Sequence, residues 1–151
     1  MSKLKPMQII FIFLTLILLA AAVFFLGGKT KKSFVEFPGH NLKIDVELAQ
    51  TIVQQAKGLM FRETLAENAG MLFVFSSESL KTFWMKNTKI PLDLIFISAD
   101  KKVVEIKENF EPCREASCPS YRSLAAAKYV LEVNAGFAQK NDIQIGDALS
   151  F

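Results

Sequence analysis

The chain has 151 residues, of which 51% are hydrophobic and 22% charged, and its formal net charge is +3. This length suits one domain whose core folds without a metal or several disulfides. The basic surplus lies in residues 1–32, which hold five lysines and no acid. Removing those five from the 18 Lys and Arg leaves 13 bases against 15 acids in residues 33–151. The composition therefore argues against a nucleic-acid partner.

An apolar segment over residues 7–26 follows a basic N-terminal tail over residues 1–6. The segment carries no charge, and twenty helical residues extend roughly 30 Å, the thickness of the bilayer hydrocarbon. Small residues at 20–22 offer a signal-cleavage site, and cleavage would give a secreted domain. Because the apolar run continues beyond them, we predict an uncleaved, single-pass signal anchor. A short basic tail before such a run is typical of export, so we place the domain outside the cytoplasm, in the periplasm or at the cell surface.

Residues 27–41 are predicted to be a linker, because they combine Gly-Gly, three lysines and Pro-Gly. The globular domain is expected over residues 42–151. Apolar residues at alternate positions in 42–48 predict a half-buried strand. Thr51 is placed to cap a short helix over residues 52–57, which Gly58 would end.

Short apolar runs predict the remaining elements. Strands are expected over residues 71–75, 81–87, 92–98, 103–106, 129–133 and 143–149. A helical turn is expected over residues 135–140. About seven short strands with two or three short helices indicate a β-rich α+β domain, compact and barrel-like.

Four blocks of sequence are distinctive: GLMFR at 58–62, GMLFVF at 70–75, FWMKNTKIPLD at 83–93 and AKYVLEVNAG at 127–136, with Gly146-Asp147 near the end. Together they resemble the family called domain of unknown function 192, over about residues 42–151. The resemblance implies a compact, β-rich α+β domain that is frequently exported or membrane-anchored. It implies no reaction.

Cys113 and Cys118 lie in a loop between two prolines. In an exported domain such a pair predicts a disulfide, and closing so short a loop adds about 2 kcal/mol by the chain-entropy model. The spacing differs from the two-residue spacing of redox pairs. Zinc is not expected, because His40 is the sole histidine and no other cysteine completes four ligands.

Met60, Met71 and Met85 lie within these blocks. Their thioether sulfurs could bind a cuprous ion in the periplasm. Methionine also fills gaps in hydrophobic cores, which is the simpler interpretation. A copper-handling domain is therefore an alternative, and no cofactor is predicted.

The distinctive blocks contain a set of polar residues, of which Lys86 and Asn87 adjoin Trp84. The set is Arg62, Lys86, Asn87, Asp93, Glu132 and Asn134. An acid within an apolar strand faces solvent or needs a partner. One interpretation is a structural network in which Arg62 or Lys86 forms an ion pair with one of the two acids of the set, Asp93 or Glu132. The other places the set around a shallow pocket walled by Trp84, where it holds a polar ligand such as a sugar, a peptide or a carboxylate.

Two classes of function follow from these residues. The first is a non-catalytic, membrane-tethered envelope domain that binds a polar ligand or a partner protein. The second is an enzyme acting on an envelope glycan, with acid–base work by Lys86, Asp93 and Glu132. The sequence contains no recognisable nucleophile–base set, which favours the first.

Overall fold

Residues 33–151, the part of the chain that this computed structural model describes, are built on one large sheet and one strand pair. The strands are β1 (Ser33–Phe37), β2 (Leu42–Ala49), β3 (Ala69–Ser79), β4 (Thr82–Trp84), β5 (Leu92–Ile97), β6 (Val103–Phe110), β7 (Ser120–Arg122) and β8 (Ala127–Asn134). The helices are α1 (Ile52–Lys57) and α2 (Phe137–Lys140), and a 3-10 turn spans Pro38–His40. The predicted β-rich α+β class is confirmed.

The large sheet has the strand order β1-β2-β3-β8-β5-β6, and β4 pairs with β7 separately. Strands β2 and β3 run parallel, and the other neighbours are antiparallel. The sheet is open, so the predicted barrel does not form. Its edge strands do not pair with each other. The C-terminal segment instead makes isolated bridges, Glu36 to Ser150 beside β1 and Lys102 to Ala148 beside β6.

Both faces of the sheet are covered, which explains the apolar runs over residues 71–75 in β3 and 94–97 in β5. All six residues of β5 are buried. On one face, Val35, Leu72 and Leu131 pack in a cluster with residues of α2 and the C-terminal segment. On the other face, Phe73 and Leu94 pack in a cluster that reaches the β4–β7 pair. This second face carries the candidate site.

The predicted linker over residues 27–41 is wrong in its second half, because β1 occupies Ser33–Phe37 and pairs with β2. The reason is a short alternation: Val35 and Phe37 are fully buried, while their neighbours are not. Residues 33–37 lie between two lysines and Pro38-Gly39, and five residues are too short a segment for this alternation to be recognised in the sequence. The fold therefore begins about nine residues before position 42.

Helix α1 forms as predicted. The Thr51 hydroxyl accepts a hydrogen bond from the Gln54 amide (3.2 Å), and the Gln54 side chain accepts one from the Thr51 amide (3.0 Å). This capping box satisfies two amides that the helix leaves unpaired. The predicted strand over residues 81–87 is shorter and spans Thr82–Trp84. Residues 143–149 form no strand, and Ala148 makes an isolated bridge to Lys102.

The predicted disulfide is confirmed: Cys113 and Cys118 are bonded, with their Cα atoms 5.7 Å apart. It closes the loop between β6 and β7. Within residues 33–151, no helix is long and apolar enough to cross a membrane. The predicted anchor over residues 7–26 and the basic tail before it lie outside the described residues.

Candidate functional site

The carboxyl group of Glu132 is buried in the middle of β8 with an incomplete set of hydrogen bonds. Glu132 pairs in register with Met71 on β3 and Leu94 on β5, two members of an apolar cluster. Among the described residues, no group donates to or accepts from its Oε2 atom. Burial raises the pKa of Glu132 to about 8, against a smaller lowering by the backbone of Leu59. Glu132 is therefore a neutral acid at pH 7.

A small cavity, here called the carboxyl pocket, lies against Glu132. One wall is formed by the end of α1 and the loop that follows it, residues 55–60. The other walls are formed by Thr88 and by three aromatic side chains, those of Phe73, Phe83 and Trp84. It offers about 30 Å³ of space for solvent-sized groups. Since one water needs ~10–15 Å³ on this measure, the pocket holds about two water-sized groups.

Gly58 keeps the space beside the carboxyl open. Its amide donates to the carbonyl of Gln54 (2.8 Å) and ends α1, with φ at +48°. A Cβ atom at this position would lie 3.2 Å from Cζ of Phe73 and 3.6 Å from Oε2 of Glu132. Any other residue would therefore strain the backbone and fill the space over the carboxyl.

The loop after Gly58 is held by the segment that follows β4. The Phe61 amide donates to the carbonyl of Asn87 (2.8 Å). Arg62 pairs with Glu47 on β2 at 2.5 Å, a partly exposed contact. Backbone and side-chain contacts thus fix the loop on both sides of the carboxyl pocket.

Two open depressions flank the carboxyl pocket. The first, here called the Arg62 groove, has about 410 Å³ and shares Lys57, Gly58 and Met60 with the pocket. The second, here called the Arg114 groove, has about 450 Å³ and shares Thr88 with it. Both volumes lie in the range of small-molecule sites. Pocket and grooves form one region at the turn of the 58–63 loop.

Three basic side chains around this region have no acidic partner within residues 33–151. Lys57 lines both the carboxyl pocket and the Arg62 groove, and Arg114 lines the Arg114 groove. The Nζ atom of Lys86 lies 5.3 Å from the centre of the Trp84 ring, which is half exposed. Across residues 33–151, no ion pair engages any of these three, whereas Lys89 is paired with Glu63.

Asp93 does not belong to this site. It is fully buried and accepts backbone N–H bonds from Asn109 (2.9 Å), Gly136 (3.1 Å) and Ala138 (3.0 Å). In the register of β5 and β8, Leu94 lies opposite Glu132, so the neighbouring Asp93 projects from the other face of the sheet. The predicted catalytic set of Lys86, Asp93 and Glu132 is therefore not brought together.

The predicted structural network is also wrong. Arg62 bonds Glu47 instead, and Lys86 lies over Trp84. Asn134 has a structural role, because its side-chain amide donates to the carbonyls of Leu65 (3.1 Å) and Ala66 (3.2 Å).

Of the predicted ligand-binding residues, Trp84 and Glu132 line the carboxyl pocket, Arg62 and Asn87 line the grooves, and Lys86 lies beside Trp84.

Two of the three predicted copper ligands pack in the core. Met71 and Met85 are 7% and 2% exposed and belong to the apolar cluster beneath the pocket. Met60 is half-buried and lines the carboxyl pocket. Within the described residues, no group of three or more His, Cys, Asp or Glu is placed to hold a metal ion. The packing of Met71 and Met85 favours the core interpretation, and copper binding stays a prediction.

The sequence reasoning missed four residues of the site. Gly58 and Thr88 lie inside the distinctive blocks, where a glycine that ends a helix and a threonine after a strand also have structural explanations. Lys57 and Arg114 carried no signal, because exposed bases in a helix end and a loop are common. Their relation to Glu132 exists only in three dimensions.

Two solved structures share this fold. A protein from Sinorhizobium meliloti, described as a candidate transcription regulator, is 33% identical, with a TM-score of 0.70 over 82% of this chain and 97% of its own. A protein of unknown function from Novosphingobium aromaticivorans is 34% identical, with a TM-score of 0.73 over 82% of this chain and 90% of its own.

Sequence comparison gives the same relationship. UPF0127 protein PF1050 of Pyrococcus furiosus is 26% identical over 118 residues, which cover 75% of this chain and 91% of that protein. The model of domain of unknown function 192, described as "Uncharacterized ACR", matches residues 34–151. The segments at 58–62, 83–88 and 127–136 meet around the carboxyl pocket. The chain belongs to the family of domain of unknown function 192, also called UPF0127.

Proposed function

We propose that this protein is an envelope domain, held at the outer face of a membrane by residues 7–26, that binds a small polar ligand without transforming it. The ligand site is the carboxyl pocket with its two grooves. The observation that carries the proposal is the buried carboxyl of Glu132, which lines the pocket and whose Oε2 has no hydrogen-bond partner among residues 33–151.

A buried polar atom without a hydrogen bond costs about 1–3 kcal/mol, and such atoms are rare in folded proteins. The cost is understandable where a ligand supplies the missing partner. Trp84 adds a half-exposed aromatic surface at the rim, and the grooves add space for the rest of the molecule. A concave, partly apolar site with a few polar groups is the usual form of a small-molecule site.

Binding without chemistry is favoured over the glycan-cleaving alternative because Asp93 is committed to three backbone amides on the opposite face. A pair of carboxyl groups that flank the reacting bond is the usual requirement for glycoside hydrolysis. The remaining predicted members, Lys86 and Glu132, do not supply such a pair.

A role in DNA binding, suggested by the description of the Sinorhizobium meliloti protein, is not favoured. Residues 33–151 contain 13 basic and 15 acidic residues, whereas DNA-binding domains depend on a basic surplus. The local basic residues lie around a pocket rather than along an extended face.

Trp84 is the single tryptophan of the chain, so its fluorescence reports directly on the pocket. The full-length protein in lipid nanodiscs is titrated with N-acetylmuramic acid, N-acetylglucosamine and N-acetyl-D-alanyl-D-alanine. At least one of these should give a saturable change that Glu132→Leu abolishes. The exposed acid Glu36 gives the control, because Glu36→Gln should bind as the parent does. No saturable change with any of the three would contradict the proposal.

The membrane location has its own test. Full-length protein should sediment with membranes, and protease added to spheroplasts should digest the domain. Recovery of the unprocessed chain in the cytosol, with Cys113 and Cys118 reduced, would overturn the location. Deletion of residues 7–26 is the matched control and should release the protein from membranes.

A further inference from the structure

We propose that the group bound in the carboxyl pocket is a carboxylate, so that the ligand is a small carboxylate-bearing molecule, held by a hydrogen bond from Glu132 and by the charges of Lys57, Lys86 and Arg114. The proposal rests on the proposed function and names the class of its ligand.

The charge around the site selects an anion. Lys57 and Arg114 line the pocket or a groove, and Lys86 lies over Trp84 at the pocket; in the described part of the chain none of the three has an acidic partner. Arg62 and Lys89 nearby are paired with the acids Glu47 and Glu63. The described domain as a whole carries more acids than bases. This region is thus locally positive on an acidic domain, which favours entry of a negatively charged molecule.

The neutral state of Glu132 makes the pocket compatible with an anion. Burial holds its pKa at about 8, so its carboxyl carries a proton at pH 7 and donates instead of repelling. Lys57 on α1 is the one charged residue besides Glu132 among the described residues that line the pocket. The residues that pair with Glu132 on the neighbouring strands β3 and β5 are the apolar Met71 and Leu94. Just after β4, the charged Lys86 lies over the ring of Trp84, which lines the pocket.

The size of the pocket selects a carboxylate over larger anions. About two water-sized groups fit in 30 Å³, which matches the two oxygens of a carboxylate. A phosphate group, with more oxygens, matches this space less well. The hydrogen bond from a carboxylic acid to a carboxylate is short and charge-assisted, and hence stronger than a neutral one. The grooves receive the rest of the molecule.

The choice of probes distinguishes two possible sources of the bound carboxylate, a sugar and the end of a peptide. N-acetylmuramic acid presents a carboxylate on a sugar, and N-acetyl-D-alanyl-D-alanine presents one at a peptide end. The methyl ester of each is a control of nearly the same shape without the charge. The full-length protein in nanodiscs is titrated with all four, and with glucosamine as a cationic probe, while Trp84 fluorescence is followed.

At least one acid should bind ten-fold or more tightly than its ester, and glucosamine should not compete. An ester that binds as tightly as its acid, or glucosamine that binds most tightly, overturns the carboxylate and leaves the proposed pocket intact. If no probe gives a saturable change, both proposals fail.

The roles of the side chains are tested with conservative variants. Lys86→Gln should weaken binding of the preferred acid by about three- to ten-fold. Lys128 also lies over an aromatic ring, that of Tyr129, away from the pocket, so Lys128→Gln is the matched control and should bind normally. Equal affinities for the Lys86 and Lys128 variants would contradict a role for the charge.

Binding of the acid should weaken as the pH rises from 6 to 9, because Glu132 then loses the proton that it donates. Glu132→Gln keeps a neutral donor at this place and should remove the dependence. The ester loses only the hydrogen bond and meets no charge repulsion, so its binding should weaken less than that of the acid over the same range. A parent protein whose affinity for the acid rises with pH would overturn the role given to Glu132.

Discussion

Glu105 on β6 and Glu132 on β8 are equally buried acids on the same face of the sheet, but their surroundings differ. Glu105, 7% exposed, accepts hydrogen bonds from the Tyr121 hydroxyl (2.5 Å) and the amides of Leu124 (2.7 Å) and Ala125 (2.8 Å). Glu132, 6% exposed, has one oxygen, Oε2, that no group in the described part of the chain contacts by a hydrogen bond. Burial alone therefore does not mark a functional acid. What distinguishes Glu132 from Glu105 is the missing hydrogen-bond partner at Oε2 among the described residues, and the proposed function rests on that difference.

Asp93 extends the comparison to the other face. Its three amide donors come from the β6 end and from the first turn of α2, so the carboxylate joins two elements and caps a helix. Glu105 similarly fixes the segment between β7 and β8. Both acids hold backbone in place, whereas Glu132 holds only the backbone of Leu59.

The largest effect on the free energy of unfolding is expected for Asp93, whose carboxylate accepts three backbone hydrogen bonds. Asp93→Ala leaves three buried amides without an acceptor and should lower the free energy of unfolding by about 3–5 kcal/mol. Chemical denaturation of the full-length protein measures the change. Asp93→Asn, which keeps one acceptor oxygen, should lose less. An unchanged midpoint for Asp93→Ala would remove the structural role argued for this acid.

The second effect is the pH dependence of stability. The folded protein keeps the proton of Glu132 to about pH 8, while the unfolded chain loses it near the ordinary value of 4.5. Between pH 4.5 and pH 8, folding is therefore coupled to the uptake of a proton by Glu132. The resulting contribution to the free energy of unfolding is fully present below pH 4.5 and is lost as the pH rises to 8. We expect a decline of about 2–4 kcal/mol across this window.

Denaturation curves at several pH values from 5 to 9 measure this decline. Glu132→Gln has no proton to lose and should give a flatter profile. If parent and variant fall in parallel, other groups account for the pH dependence.

The smallest effect sharpens the contrast between the two glutamates. Glu132→Leu replaces an incompletely bonded acid with an apolar side chain, and should raise the free energy of unfolding at pH 7 by about 1–2 kcal/mol. Glu105→Leu should lower it, because it deprives three donors of their acceptor. Thermal denaturation of the two variants side by side gives the signs. Destabilisation of both would mean that Glu132 is structural too.

The sequence predicted the parts of the fold that depend on local patterns. The alternation in residues 42–48, the Thr51 cap and the Cys113–Cys118 pair all act over short distances and were correct. Strand β1 was missed because its pattern is five residues long. The open sheet was missed because pairing of β1 and β6 depends on contacts between distant parts of the chain.

The candidate site was predictable in part for the same reason. Trp84 and Glu132 were singled out because a tryptophan beside lysine and an acid in an apolar strand are unusual in any sequence. The face on which each acid projects depends on strand register, so Asp93 and Glu132 could not be separated. Nor could the unpaired state of Lys57 and Arg114 be known, because it is set by which acids lie within reach.

The Cys113–Cys118 bond encloses Arg114, one of the three bases around the site. Reduction of the disulfide to two thiols would remove the covalent link across this loop, and with it about 2 kcal/mol of stability by the chain-entropy model. The Arg114 guanidinium would then no longer be held at the groove that it lines. Protein produced in a reducing compartment, or incubated with dithiothreitol, should therefore bind the proposed carboxylate ligand more weakly, although its sheet remains folded. If the proposed export and ligand site are correct, the oxidising compartment would both receive the domain and form the bond that holds Arg114 at the site.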